Sequence, residues 1–303
     1  MSVPALWQPL YPFPSRFAQV NGFRCHYLDE GQGEPLLLLH GNPTWSFYYR
    51  DLIRGLRDRY RLIAPDHIGC GLSEKPDDAR YPYRLERRVE DIDALVRQLD
   101  LPEKLTLVLH DWGGMIGLAW ASRHPQRVGR LVLLNTAAFG LPAGKRLPWQ
   151  LALVRNTPLG ALLVRGCNAF SAGLVRFCTV RPLSTAVRAG YLYPYRTWSD
   201  RRAVLRFVQD IPLRPSDPGF DLVQSVDAGL ARFAEVPTFI GWGARDFVFD
   251  DAFLEGWRKR MPHAEVHRFA EAGHLVLDDA GEQLLPLIRD FLARHPLPGG
   301  ANA

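Results

Sequence analysis

The stretch Leu105-Thr-Leu-Val-Leu-His-Asp-Trp-Gly-Gly114 decides how the rest of the chain is read. An apolar, strand-like run enters a tight turn carrying two glycines, and an apolar helical segment, Met115 to Ser122, follows at once. Such a junction holds one side chain out at the carboxyl end of a sheet, and here the residue at its apex is Asp111. A carboxylate is already ionised at neutral pH, so it can attack an electrophilic carbon without a base to deprotonate it. Aspartate is also a favoured helix N-cap, so the junction alone serves either role and the other parts of the chain must decide.

Working outward, short apolar runs at Gly22 to Leu28, Pro35 to Leu39, Leu62 to Ala64 and Leu131 to Leu134 alternate with amphipathic stretches. This alternation predicts an α/β fold with a mostly parallel sheet covered on both faces. One helix is explicit: Leu85, Val89, Ile92, Val96 and Leu99 recur at spacings of three and four. After Asn135 the alternation stops, and residues 137–212 turn to Leu, Arg, Pro and aromatics. They are read as a helical cap inserted between two parts of one core, 17–136 and 213–295. Within the cap, Ala161 to Cys178 is apolar, but Arg165, Gly166, Asn168, Gly173 and Arg176 interrupt it. A buried or interfacial helix pair fits that pattern better than a membrane span. Strands resume at Val236 to Gly241 and Glu265 to Phe269, and a closing helix carries Leu284, Ile288, Phe291 and Leu292 until Pro296, Pro298 and Gly299 end it.

With 303 residues, 47% hydrophobic and 23% charged, the chain has the balance of a protein that buries a large core, which excludes disorder, collagen and coiled coil. Its 37 basic and 32 acidic residues give +5, but the excess is local. Residues 141–209 hold eleven Arg or Lys against Asp200 alone, a balance of +10, which leaves −5 for the other 234 residues. The basic residues are dispersed through an apolar segment without a nucleic-acid motif, so nucleic acid is not an expected partner. They point instead to an acidic partner protein, to peripheral contact with a membrane surface, or to arginine stems packed over helices with their heads in water. The four cysteines, Cys25, Cys70, Cys167 and Cys178, are scattered without metal-ligand spacing, and the first basic residue is Arg16. No metal, cofactor or secretory signal is expected, and the chain is read as cytoplasmic.

Three further stretches complete a site. His40-Gly-Asn-Pro43 follows an early strand, where a loop can supply one backbone N–H of an oxyanion hole while the residue after the apex supplies the other. Those are Asn42 and Trp112, whose side chains also carry donors suited to an anion. Glu271-Ala-Gly-His274 places an imidazole late in the chain, in the order nucleophile, acid, histidine that accompanies such elbows. Asp246 follows the strand Val236 to Gly241 and is favoured as the acid orienting His274, with Asp250 and Asp251 nearby. The end of Leu131 to Leu134 reads Asn135-Thr-Ala and offers no carboxylate. Pro65-Asp-His-Ile-Gly-Cys-Gly-Leu-Ser73 lacks the lysine of a phosphate loop and is given a structural role, with Asp66 and Ser73 satisfying backbone groups.

On His40-Gly-Asn-Pro-Thr-Trp45, the loop 65–73 and His110-Asp-Trp-Gly-Gly114, the sequence resembles the haloalkane dehalogenase family of α/β-hydrolases from about Phe17 to Leu292. The resemblance implies Asp111 as nucleophile, His274 as base, Asp246 as acid, and Asn42 with Trp112 as the anion-holding pair. The combination of Asp246 with Asn42 and Trp112, and the cap stretches Asn168-Ala-Phe-Ser171, Gly190-Tyr-Leu-Tyr-Pro-Tyr195 and Leu205 to Leu213, resemble the branch containing the β-lactone decarboxylases of bacterial long-chain olefin biosynthesis. That branch implies conversion of cis-3,4-dialkyl oxetan-2-ones to cis-alkenes and carbon dioxide, alongside a lactone-forming partner enzyme. Hydrolytic dehalogenation would use the same residues; epoxide hydrolysis, with Tyr191, Tyr193 or Tyr195 as acid, would leave the Asn42–Trp112 pair without a job, and a binding protein without activity is a further alternative.

Overall fold

Four leucines in a row, Leu36 to Leu39, are fully buried, and they alternate between two cores. Leu37 and Leu39 join Leu107, Leu109 and Leu133 on one face of the sheet, while Leu36 and Leu38 join Val108, Val132 and Leu134 on the other. Successive side chains in a strand point to opposite faces, so an unbroken aliphatic run is stable only where both faces are covered. The computed structural model describes residues 5–297; Pro298 and Gly299 lie outside the described residues.

Eight strands form one sheet: β1 Arg16–Val20, β2 Phe23–Glu30, β3 Glu34–Leu39, β4 Tyr60–Pro65, β5 Leu105–Asp111, β6 Val128–Thr136, β7 Thr238–Gly243 and β8 Glu265–Phe269. Their order is β1-β2-β4-β3-β5-β6-β7-β8, antiparallel across β1-β2-β4 and parallel from β4 to β8. The helices are α1 Arg50–Leu56, α2 Leu85–Gln98, α3 Trp112–Arg123, α4 Trp149–Asn156, α5 Pro158–Cys167, α6 Ala169–Phe177, α7 Thr185–Leu192, α8 Arg202–Gln209, α9 Phe220–Gly229, α10 Asp251–Arg260 and α11 Val276–Arg294. Side chains of α1 and α11 bury against one face of the sheet, and those of α2, α3, α9 and α10 against the other. This is the mostly parallel, helix-flanked sheet with an inserted helical cap that the sequence leads one to expect.

Two features differ in detail. β1 is an additional strand, paired with β2 through a turn at Asn21-Gly22, both at positive φ, so Gly22 belongs to the turn and β2 starts at Phe23. α1, α9 and α10 also fall where no helix is expected from the sequence pattern. Helices α4 to α8 lie within 137–212 and have a small core of their own around Leu151, Val164, Tyr195 and Val204, whereas α9 packs on α3. Asn168, at positive φ, breaks the apolar stretch into α5 and α6, which are bent 76° from each other. Among the described residues no single helix is long and apolar enough to cross a membrane.

The strand order reverses around β3, since β4 and β5 flank it on opposite sides. Loops leaving β3 and β5 therefore diverge at their carboxyl ends and leave a crevice, the usual ligand position in such sheets.

Candidate active site

Asp111 ends β5 in a strained conformation, φ 50° and ψ −125°, before α3 begins at Trp112. The strain persists because the surroundings fix it. The Thr136 hydroxyl donates to the Asp111 carbonyl at 2.5 Å, and a Cβ on Gly113 would collide with the Leu39 carbonyl, so only glycine lets the turn close onto β3. The loop after β3 approaches as tightly: a Cβ on Gly41 would meet the Asp111 carboxylate itself.

That approach sets the carboxylate's orientation. The Asn42 backbone N–H donates to Asp111 Oδ1 at 2.6 Å, and the Trp112 backbone N–H also bears on the carboxylate. Oδ2 faces His274, whose Nε2 lies 3.8 Å away, too far for a direct hydrogen bond. Burial raises the Asp111 carboxyl above its ordinary range, against the pull of His274 and the two N–H groups.

His274 follows β8 and precedes α11. Its Nδ1–H donates to Asp246 Oδ2 at 2.8 Å, which leaves Nε2 facing Asp111. Phe249 stacks on the ring at 5.9 Å, and the His110 imidazole donates to the His274 carbonyl at 3.0 Å. Burial alone would lower the imidazole pKa; the charge and hydrogen bond of Asp246, with Asp111, outweigh it and raise the value. By contrast, burial and the neighbouring His274 hold His110 well below the ordinary range, so it is a neutral ring.

Asp246 is fixed by two further donors, the Val248 N–H at 2.8 Å and Asn135 Nδ2 at 3.1 Å. Asn135 also pairs both ways with the backbone of Gly243, accepting its N–H at 2.7 Å and donating to its carbonyl at 3.0 Å. In the sequence Asn135 is only a residue that is not an acid; in the fold it holds the acid that follows β7. Asp250 and Asp251 are engaged elsewhere, Asp250 with Lys145 and as the cap of α10, Asp251 with Arg268. The loop 65–73 is pinned as expected: Asp66 accepts from the Ser46 and Leu72 N–H groups, and the Ser73 hydroxyl donates to the Asp66 carbonyl.

Asn42 and Trp112 both line the cavity beside Asp111. One amide N–H of Asn42 donates to the Val204 carbonyl in α8 at 3.0 Å, and its Oδ1 is buried without a protein partner. The Trp112 ring is held against Phe207 at 5.4 Å, and Phe207 in turn lies 3.7 Å from the buried Arg88 guanidinium. The cavity, about 600 Å³, runs from Asp111 and His274 into the space between core and cap. Its walls are almost wholly apolar, from α4, α5, α6 and residues 247–249. None of Tyr191, Tyr193 and Tyr195 lines it. Tyr191 donates to Asp278, Tyr195 to the Thr44 carbonyl, and Tyr193 packs at a tilt against Trp7, so no tyrosine stands ready as the acid of an epoxide hydrolase.

Chemically, this is a buried carboxylate with one oxygen cradled by backbone donors and the other facing an imidazole oriented by a second carboxylate, an arrangement that can serve nucleophilic attack. A model of the alpha/beta hydrolase fold matches residues 34–281. The chain is 52% identical to a cis-3-alkyl-4-alkyloxetan-2-one decarboxylase of Shewanella oneidensis, covering 93% of this chain and 89% of that protein. It is 48% identical to a protein of the same name from Xanthomonas campestris pv. campestris, covering 95% and 99%. Among solved structures, the haloalkane dehalogenase DatA from Agrobacterium tumefaciens C58 superposes with a TM-score of 0.84 at 28% identity, covering 93% of this chain and 97% of that one. Strand order, elbow and matched sequence agree, and the chain belongs to the α/β-hydrolase fold family.

Proposed function

We propose that the protein is a β-lactone decarboxylase that converts cis-3,4-dialkyl oxetan-2-ones to cis-alkenes and carbon dioxide. The observation that carries this reading is the identity of about half to oxetanone decarboxylases over nearly the whole chain. The apolar cavity leading to a lone carboxylate nucleophile supports it, because two alkyl arms need an apolar wall on both sides of the reacting ring.

In the proposed reaction Asp111 Oδ2 attacks the ring carbon that bears the ring oxygen. That carbon–oxygen bond breaks, and the oxygen leaves as part of a carboxylate. Attack at the carbonyl would instead expel an alkoxide, a poorer leaving group. The new carboxylate then departs as carbon dioxide; its carbon–carbon bonding pair forms the alkene, and the aspartyl ester oxygen leaves with its electrons, restoring Asp111. Backside attack sets the aspartyl oxygen opposite the departing carboxylate, so both alkyl arms stay on one side and the alkene is cis. No water is consumed. Negative charge on the freed carboxylate develops in the cavity that Trp112, Asn42 and the Asp246-bound His274 line.

A second reading, hydrolytic dehalogenation, is favoured by two observations. The 3.8 Å between His274 Nε2 and Asp111 Oδ2 suits activation of a water, and the backbone cradle on Oδ1 suits hydrolysis of an aspartyl ester. Purified protein is given a long-chain cis-β-lactone and, separately, a 1-haloalkane. Alkene and carbon dioxide in equal amounts with little halide are expected, and rapid halide release without alkene overturns the reading. The reading also implies a lactone-forming enzyme as supplier of a poorly soluble intermediate. All four cysteines are free thiols, which supports a reducing, cytoplasmic setting.

A further inference from the structure

The cavity is apolar even where it reaches solvent. Leu141, Trp149, Phe177 and Phe247 line it, yet they are 37%, 72%, 69% and 43% exposed. Leu159, Leu162, Val180 and Trp198 add exposed apolar side chains on the same cap. Proteins that stay in water seldom leave so many large apolar groups together on one surface.

Cations stand among them. The Arg176 guanidinium lies 5.3 Å from the Phe177 ring, Arg146 precedes Trp149 by three residues, and Arg181 follows Val180. All three are exposed, and none is within ion-pair distance of a carboxylate among the described residues. Four cap cations differ: Lys145 meets Asp250, Arg155 meets Asp217, and Arg202 and Arg206 share Asp78. From Trp112 to Ser199 there is no Asp or Glu, and two acids that other segments bring to the rim are already engaged: Asp279 accepts from the Val180 and Arg181 backbone N–H groups, and Asp250 pairs with Lys145. The α5–α6 pair is apolar enough in sum to span a bilayer, but its 76° bend suits helices lying along a surface.

We propose that this rim docks on an anionic lipid surface, which sets the cavity mouth against the bilayer interface and lets apolar chains pass between membrane and cavity without crossing water. Two signals, inserted apolar side chains and a basic rim, are what stable and reversible membrane contact requires. A tryptophan at the edge matches the amphipathic layer at the headgroups. A protein seated on the same residues would close the mouth, whereas a bilayer leaves it open to alkyl chains. Docking itself is independent of the lactone reading; only the passage of alkyl substrate rests on it.

The test is flotation with vesicles of phosphatidylcholine alone or with about one-third phosphatidylglycerol, over a salt series. The wild-type chain is expected to float with the anionic vesicles and to be released by salt. The triple variant Arg146→Gln, Arg176→Gln, Arg181→Gln is expected to lose roughly tenfold or more in vesicle affinity. Its melting temperature and its turnover of a short, water-soluble β-lactone should not change. Trp149→Phe should remove part of the blue shift in tryptophan emission on binding. Absence of wild-type binding, or equal binding by the triple variant, overturns the proposal. Capture of poly-glutamate without capture of vesicles overturns it in favour of an acidic polypeptide. Flotation needs no turnover, so failure of the lactone assay leaves this result standing.

Discussion

At Asp111, function and stability pull in opposite directions. Burial lifts the carboxyl pKa, so at neutral pH the fold holds an ion it would rather keep protonated. Asp111→Asn keeps the shape and lets the amide oxygen accept from Asn42, so it is expected to abolish turnover while raising stability at pH 7 by about 1 kcal/mol. The sign follows from linkage. The folded pKa lies above the unfolded one, so the penalty is full above the folded value and disappears below the unfolded value, about 4. Denaturant midpoints of the two proteins should therefore differ at pH 7 and converge near pH 4; a difference that persists in acid would show another origin. Asp111, Asp246 and His274 are legible in the sequence because each follows its own strand at a glycine-containing turn. Asn135 is not, because its value lies in a hydrogen bond to a residue more than a hundred positions away.

Helix α8 fastens cap to core. Its Val204 carbonyl holds Asn42, Phe207 backs Trp112, and Asp210 at its end pairs with Arg84 and with the fully buried Arg88. Removing one member of a buried pair strands the other charge. Asp210→Asn is expected to cost about 3 kcal/mol in denaturant unfolding and to weaken kcat, since α8 orders the donors beside Asp111. Asp78→Asn, at an exposed pair with Arg202 and Arg206, should cost under about 1 kcal/mol and leave kcat alone. A loss equal in both variants would rule out a special role for the buried pair. Among the elements, β3, β5 and β6 are plain in the sequence because burial on both faces demands aliphatic runs, and β7, buried throughout, shows the same pressure in Phe239, Ile240 and Trp242. β1 is an edge strand, exposed at three of its five residues, so it carries no such run, and only the Asn21-Gly22 turn marks it. Among the helices, α10 is hidden because it mixes charges into a short apolar stripe.

For the molecule as a whole, the cavity between core and cap sets what enters. Gly173 of α6 lines it, and a Cβ there would meet nothing within 4 Å. Gly173→Ala should stabilise the protein by up to about 1 kcal/mol through helix propensity. Gly173→Phe should fill part of the chamber and shift kcat/KM toward substrates with shorter alkyl arms, measured over a chain-length series; an unchanged profile would place the arms elsewhere. The opposed charges of cap and core have a consequence of their own. An isoelectric point near 9.1 describes a molecule whose total charge vanishes while its two ends still differ in sign, leaving a permanent dipole. In dilute salt such a body turns in an electric field before it drifts, and two copies attract cap to core in a sequence that has no natural last member.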